Sequence, residues 1–184
     1  NNKNNWECAL SEAAFMTGLE RNADIVHLTS YAPLMAHTEE WQWTPELVWF
    51  NNLKSYGTPN YYVQKLFANY PGTHLVAVEL NGQKPIGQQG IYASAVTDQD
   101  KNQIVVKLVN KNPSGKKLNI DLEGVKVNKN AGGMILQHQD LNAENSIENP
   151  YAISPKEISL KLNVKNLQIV VPRLSFAVFV FDRQ

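Results

Sequence analysis

Residues 90–110 read Gly-Ile-Tyr-Ala-Ser-Ala-Val-Thr-Asp-Gln-Asp-Lys-Asn-Gln-Ile-Val-Val-Lys-Leu-Val-Asn. Two runs rich in β-branched and apolar residues, 90–97 and 103–110, flank the turn signal Asp98-Gln99-Asp100. Ile104, Val106 and Leu108 recur every second residue, the period of a strand with one buried face. Phe176, Val178 and Val180 repeat that alternation near the end of the chain. Further candidate strands cover residues 75–80, 117–122, 133–139, 157–162, 167–171 and 175–181. Turn signals separate them at Asn81-Gly82, Asn112-Pro113-Ser114-Gly115 and Ala131-Gly132-Gly133. About eight short strands at this spacing imply a β-sandwich of jelly-roll type.

Upstream of residue 72 the composition changes. All four tryptophans (Trp6, Trp41, Trp43, Trp49) lie there, whereas thirteen of the sixteen valines follow it. Residues 1–72 carry four basic and seven acidic side chains, and residues 73–184 carry thirteen and ten. The Pro71-Gly72 turn signal marks the join, giving units 1–72 and 73–184. The first unit opens with a helical stripe. Trp6, Leu10, Ala13 and Thr17 share one face, with Ala9, Met16 and Leu19 adjoining, and their small side chains suit close packing on a sheet. The apolar run 25–31 reads as a strand buried on both faces. Residues 34–52 form a long aromatic-rich connection with a short helix expected over 45–50, and residues 60–69 read as another helix. Helix, buried strand, loop and helix make one and a half units of (β/α) barrel grammar. The expected fold is therefore mixed: a partial (β/α) barrel remnant followed by an all-β jelly-roll sandwich.

The chain has 184 residues, with 43% hydrophobic and 18% charged, enough to bury a core. It is too short for a whole barrel enzyme, which takes about 250 residues, and reads as a segment of something longer. Its formal net charge is zero, so no basic excess points to nucleic acid or to an anionic membrane surface. No apolar run reaches the roughly 18 residues of a membrane span. Cys8 is the single cysteine, which excludes an intrachain disulfide and any CxxC metal knuckle. One cysteine suits either cytosol or periplasm, and a periplasmic or secreted location is preferred to a cytoplasmic one.

The first unit also contains distinctive strings. They include Asn5-Trp6-Glu7-Cys8-Ala9-Leu10, Ala13-Ala14-Phe15-Met16-Thr17-Gly18-Leu19-Glu20-Arg21-Asn22-Ala23-Asp24 and Ser30-Tyr31-Ala32-Pro33-Leu34. Trp41-Gln42-Trp43-Thr44-Pro45-Glu46-Leu47-Val48-Trp49-Phe50-Asn51-Asn52 and Ser55-Tyr56-Gly57-Thr58-Pro59-Asn60-Tyr61-Tyr62 follow. Together they resemble the C-terminal region of α-L-arabinofuranosidases of glycoside hydrolase family 51, specifically over residues 5–67 and more faintly beyond. The resemblance implies a retaining enzyme that removes terminal α-L-arabinofuranosyl groups from arabinan or arabinoxylan. It implies a (β/α)₈ barrel followed by a jelly roll. Residues 5–22 would be the helix after the seventh barrel strand, 25–31 the eighth strand and 59–69 the last helix. Both catalytic glutamates would then lie upstream, and the rest of the barrel would be the partner of this chain.

The residues themselves supply no catalytic pair. Retaining hydrolysis needs two carboxyl groups about 5–5.5 Å apart. Glu39 and Glu40 are neighbours in an extended stretch and point to opposite sides. Glu7 and Glu12 lie five apart on a helix and read as surface charges. The four histidines are scattered without ligand spacing, so no metal or other cofactor is called for, and His27 reads as a hydrogen-bonded core residue. Cys8 reads as an inert thiol. Neither Ser11 nor Ser30 has the setting of a nucleophile. The candidate substrate contacts are Ser30 and Tyr31, at the end of the expected strand, and Trp41 and Trp43 in the following loop. That end of a barrel strand carries the active site, and flat aromatic faces stack on sugar C–H surfaces. The competing reading for the aromatics is a roof over the core, and Trp49 falls on that side. Two other functions remain open on the residues alone: a carbohydrate-binding sandwich, and a structural module that also organises a homo-oligomer. The sandwich half has no tryptophan, which weighs against the first.

Overall fold

The computed structural model describes residues 4–162 and 167–184. Helix α1 spans Trp6–Arg21. Asn5 caps it by accepting the Cys8 amide at 3.0 Å, Glu7 sits in its first turn and Arg21 in its last. Both charges complement the helix dipole. Three short strands follow, β1 (Met35–His37), β2 (Val48–Phe50) and β3 (Ser55–Gly57). β1 pairs with β2 in parallel, and β2 with β3 antiparallel. Helix α2 (Pro59–Asn69) starts at Thr58, whose hydroxyl accepts the Tyr61 amide, with Pro59 in the first turn where its missing N–H is harmless.

The remaining strands are β4 (His74–Val76), β5 (Ile91–Asp98), β6 (Gln103–Asn110), β7 (Lys116–Ile120), β8 (Val127–Gln137), β9 (Lys156–Lys161), β10 (Leu167–Val171) and β11 (Ser175–Arg183). Six of them form an antiparallel sheet in the order β4-β5-β6-β11-β8-β9, and β7 and β10 form a separate antiparallel pair. The two-residue period of β6 sorts its side chains. Val105 and Val109 face α1 and α2 together with Phe176 and Val178 of β11. Ile104, Val106 and Leu108 face the opposite layer with Phe179 and Phe181. The large sheet is thus covered on one side by helices and on the other by the β7–β10 pair. This mostly β architecture with two helices agrees with the coarse expectation.

Several local expectations are corrected. Residues 25–31 form no strand. The Ile25 and Val26 amides bond back to the Asn22 carbonyl, and beyond them no ladder partner is present among the described residues. Ile25 and Leu28 are 74% and 89% exposed. An apolar β-prone run becomes a strand only where another strand supplies hydrogen bonds and a covering surface. His27 on that run is accordingly exposed and not a core histidine. Residues 45–50 are not a helix. Pairing on both sides draws Val48–Phe50 into the small sheet and buries Trp49. The strand expected over 75–80 ends at Val76, because residues 85 and 86 take its place beside Ala93 and Tyr92. Ala131-Gly132-Gly133 is no turn but the interior of β8. Gly133 is needed there: it holds φ at +155°, and an added Cβ would lie 1.9 Å from the Val178 carbonyl oxygen.

Candidate functional site

The four expected sugar contacts lie on the irregular stretch between α1 and α2. Ser30 is exposed. Tyr31 is half-buried, and its hydroxyl accepts the Asn4 side-chain amide at 2.8 Å. Burial pushes the phenol up to about 12; the Asn4 bond opposes that, and the negative ends of Glu12, Cys8 and Glu46 add to it. Tyr31 is therefore a neutral hydroxyl at physiological pH.

The β1–β2–β3 sheet presents the two tryptophans. Its parallel β1–β2 crossover leaves residues 38–47 as a loop above the strands. Trp41 is half exposed and stands edge-on against the buried Trp49, centroids 5.7 Å apart. Tyr56 lies opposite Trp49 in the β2–β3 register, and His37 meets Phe50 edge-on at 5.4 Å. Trp43 is 66% exposed. One tryptophan thus rests on an aromatic base and the other stands in solvent, an arrangement able to stack on a flat apolar face. Glu39 and Glu40 are exposed in the same loop.

Behind Tyr31 the structure gathers polar groups that the sequence reading treated as unrelated. Glu12, expected on the surface, lies between the helices and accepts from the amides of Asn60 and Gln64 on α2. Burial raises its carboxyl, and the two amide donors oppose that shift. The Asn60 amide also lies 3.7 Å from the Cys8 sulfur. Glu46 is 3% exposed, with its carboxyl raised by burial and its Oε2 without a hydrogen-bond partner among the described residues. The spacing of Glu12 to Glu46 carries no motif. Tertiary packing brings these stretches together: α2 docks on α1, and Thr58 donates to the Leu47 carbonyl at 2.9 Å, tying the start of α2 to the stretch that carries Glu46. Among the described residues no group of three or more His, Cys, Asp or Glu side chains could hold a metal ion.

Comparison with known proteins assigns the family. Residues 1–175 match the profile of the alpha-L-arabinofuranosidase C-terminal domain. The chain belongs to this family. It is similar to Alpha-L-arabinofuranosidase 1 of Arabidopsis thaliana, at 33% identity over 177 residues, covering 93% of this chain and 26% of that protein. Over 73 residues it is 62% identical to an extracellular exo-alpha-L-arabinofuranosidase of Streptomyces chartreusis, covering 40% of this chain and 9% of that one. An arabinose-bound family 51 arabinofuranosidase, MgGH51, superposes with a TM-score of 0.85 at 30% identity, over 98% of this chain and 28% of its own. The arabinose complex of the Thermotoga maritima enzyme gives 0.79 at 19% identity, over 98% of this chain and 39% of its own, which is a likeness of fold. The chain thus spans about a quarter of the length of the family relatives it matches from end to end. It is the C-terminal region of such a protein. No helix among the described residues is long and apolar enough to cross a membrane.

Proposed function

We propose that this chain is the C-terminal part of a retaining α-L-arabinofuranosidase acting on terminal α-L-arabinofuranosyl groups of arabinan or arabinoxylan. Residues 1–72 complete its catalytic barrel, and residues 73–184 form the C-terminal jelly roll. The observation that carries this reading is the superposition of 98% of the chain on an arabinose-bound relative at 30% identity. Both catalytic carboxylates come from polypeptide outside these residues, so the chain by itself does not hydrolyse the sugar. Residues 25–31 are the natural docking edge for that polypeptide, since Ile25 and Leu28 stand bare and residues 27–31 make no backbone hydrogen bond among the described residues. Tyr31 contributes a neutral hydroxyl to the substrate side, with Ser30 beside it, and Trp41 and Trp43 stack on the glycan. The extracellular Streptomyces relative favours a secreted location.

Two measurements test the proposal. The chain should give no turnover of a chromogenic α-L-arabinofuranoside. Arabino-oligosaccharide should quench tryptophan fluorescence, with the quench reduced in Trp41→Ala and Trp43→Ala. Turnover that persists through purification and disappears with Glu39→Gln would overturn the placement of the catalytic pair. A quench unchanged in both tryptophan variants would remove the loop from the substrate side.

A further inference from the structure

Residues 138–155 connect β8 to β9 without regular secondary structure. Connections longer than about 12–15 residues are uncommon in compact domains, and those that stay ordered usually carry function. This one is fastened to the helices and to the small sheet. The Ala143 and Leu141 carbonyls accept the Trp6 and Glu7 amides, both at 2.9 Å, which satisfies two donors at the start of α1. The buried Asn145 donates to the Gly57 carbonyl of β3 at 2.9 Å. It also donates to the Ile153 carbonyl at 3.0 Å and accepts the Ile153 amide at 2.8 Å. One side chain thus closes the loop on itself and ties it to β3.

The tie to Gly57 sets the loop beside Tyr56, the preceding residue of β3. Tyr56 is opposite Trp49 across β2–β3 and shares its face, and Trp49 carries Trp41 edge-on. Burial raises the Tyr56 phenol, and the charges of Glu144 and Glu148 add to that shift, so both carboxylates act on this ring. Both are exposed. The Ser146 hydroxyl and the Glu148 amide hold the Glu148 carboxyl below its ordinary value, and Lys54 in the β2–β3 turn adds to this. Farther along the loop Tyr151 is 71% exposed, and its charge acts on Tyr62 of α2. Tyr62 meets Tyr61 edge-on at 5.2 Å, and the Tyr61 ring covers Gly57 so closely that a Cβ there would strike it. A lone exposed tyrosine is ordinary. Here rings from β2, β3, α2 and the sandwich loop adjoin, with two carboxylates at their rim.

We infer that residues 144–151 of the sandwich, together with Tyr56, form a binding subsite for the neutral pentose chain that carries the terminal sugar, continuing outward from Trp41. The inference rests on the proposed stacking of Trp41 and Trp43 on the glycan. Tyr151 offers a flat face to sugar C–H groups, as Trp41 does. Glu144 and Glu148 accept hydrogens from sugar hydroxyls in charge-assisted bonds. The same two carboxylates repel a chain bearing uronate groups, so the surface selects a neutral one. The Asn145 tie holds these side chains in place before the chain arrives, which lowers the entropy lost on binding. Part of the choice of substrate then resides in the C-terminal sandwich, in residues far from the tryptophan loop in sequence.

Calorimetric titration of the full chain with linear arabinobiose and arabinopentaose tests this. Tyr151→Ala should weaken arabinopentaose binding about five- to tenfold and arabinobiose binding by less than about twofold, because only the longer sugar reaches the loop. Glu144→Gln combined with Glu148→Gln should show the same dependence on length and should also admit a galacturonic acid oligomer. All three positions are exposed, and circular dichroism would confirm that the variants fold. Xylopentaose separates the two main chains: a matching loss with it means that the surface reads either pentose chain, and failure to bind it confines the surface to arabinan. Equal losses for the short and the long sugar would overturn the inference. So would unchanged arabinopentaose binding in both sets of variants while Trp41→Ala still weakens it, and the tryptophan site would then stand alone. If neither arabinose sugar binds the unaltered chain, or if Trp41→Ala has no effect, the glycan reading of the tryptophan loop fails and takes this inference with it.

Discussion

Replacing Glu20 with alanine should destabilise this protein more than any other single charge removal. Lys107 of β6 faces the helices, and its side chain is fully buried. Its ammonium bonds to Glu20 of α1, donates to the Tyr70 carbonyl at 2.6 Å, and sits 5.2 Å from the Phe67 ring centroid. Glu20 also accepts the Ser94 hydroxyl at 2.5 Å. One ion pair therefore joins α1, the end of α2 and the centre of the large sheet. Removing one partner leaves a buried charge without its counter-ion, which costs about 3–5 kcal/mol. Replacing both, as in Glu20→Leu with Lys107→Met, removes the desolvation penalty together with the attraction. The double variant should recover most of the loss, and could exceed the parent by about 1–4 kcal/mol. Urea unfolding followed by tryptophan fluorescence would measure all four corners of the cycle. The pH dependence gives a second readout. Burial holds the Lys107 ammonium below its usual 10.5, with Glu20 opposing that shift. Between the folded value and 10.5 the unfolded chain binds more protons, so stability rises with pH in that window and levels off above it. Lys107→Met should lack the rise. A Glu20→Ala cost below about 1 kcal/mol, the range of exposed pairs, would refute the reasoning.

Glu12→Gln should alter the pH profile in the opposite sense. Burial raises the Glu12 carboxyl above its usual 4.5, so its contribution is complete below 4.5 and lost as pH rises through the folded value; melts from acid to neutral pH should show the variant gaining on the parent. Gly133→Ala should cost about 3 kcal/mol or more by chemical denaturation, from the clash with the Val178 carbonyl and the strained backbone together. Residues 73–184 expressed alone should melt without cooperativity and bind a hydrophobic dye, because loss of the helices bares Val105, Val109, Phe176 and Val178 and strands the Lys107 ammonium. A sharp melt of that piece would show that the sheet is self-sufficient.

Local periodicity and end signals determined much of this protein without reference to its fold. Both runs within 90–110, the strand at 167–171 and the two helices stand where spacing and composition place them. Such elements carry their own information: alternation that matches a half-buried pleat, an Asn or Thr that caps the first turn, and a proline that suits it. The buried character of Trp49 was legible as an aromatic roofing the core, although the stretch that carries it was expected as a helix and is a strand.

Tertiary structure alone decided the rest, because the deciding partners are distant in sequence. Lys107 interrupts an apolar run as an apparent surface charge, and only α1, bringing Glu20 across the sheet, makes it a core residue. Glu12, part-buried, and Glu46, buried, come to act on Tyr31 only through tertiary packing, with α2 docked on α1. Residues 25–31 and 77–79 have strand sequences and no ladder among the described residues, since a strand is a property of a pair. The backbone hydrogen bonds of a strand are settled between segments, and no stretch of sequence can state alone whether its neighbour is present.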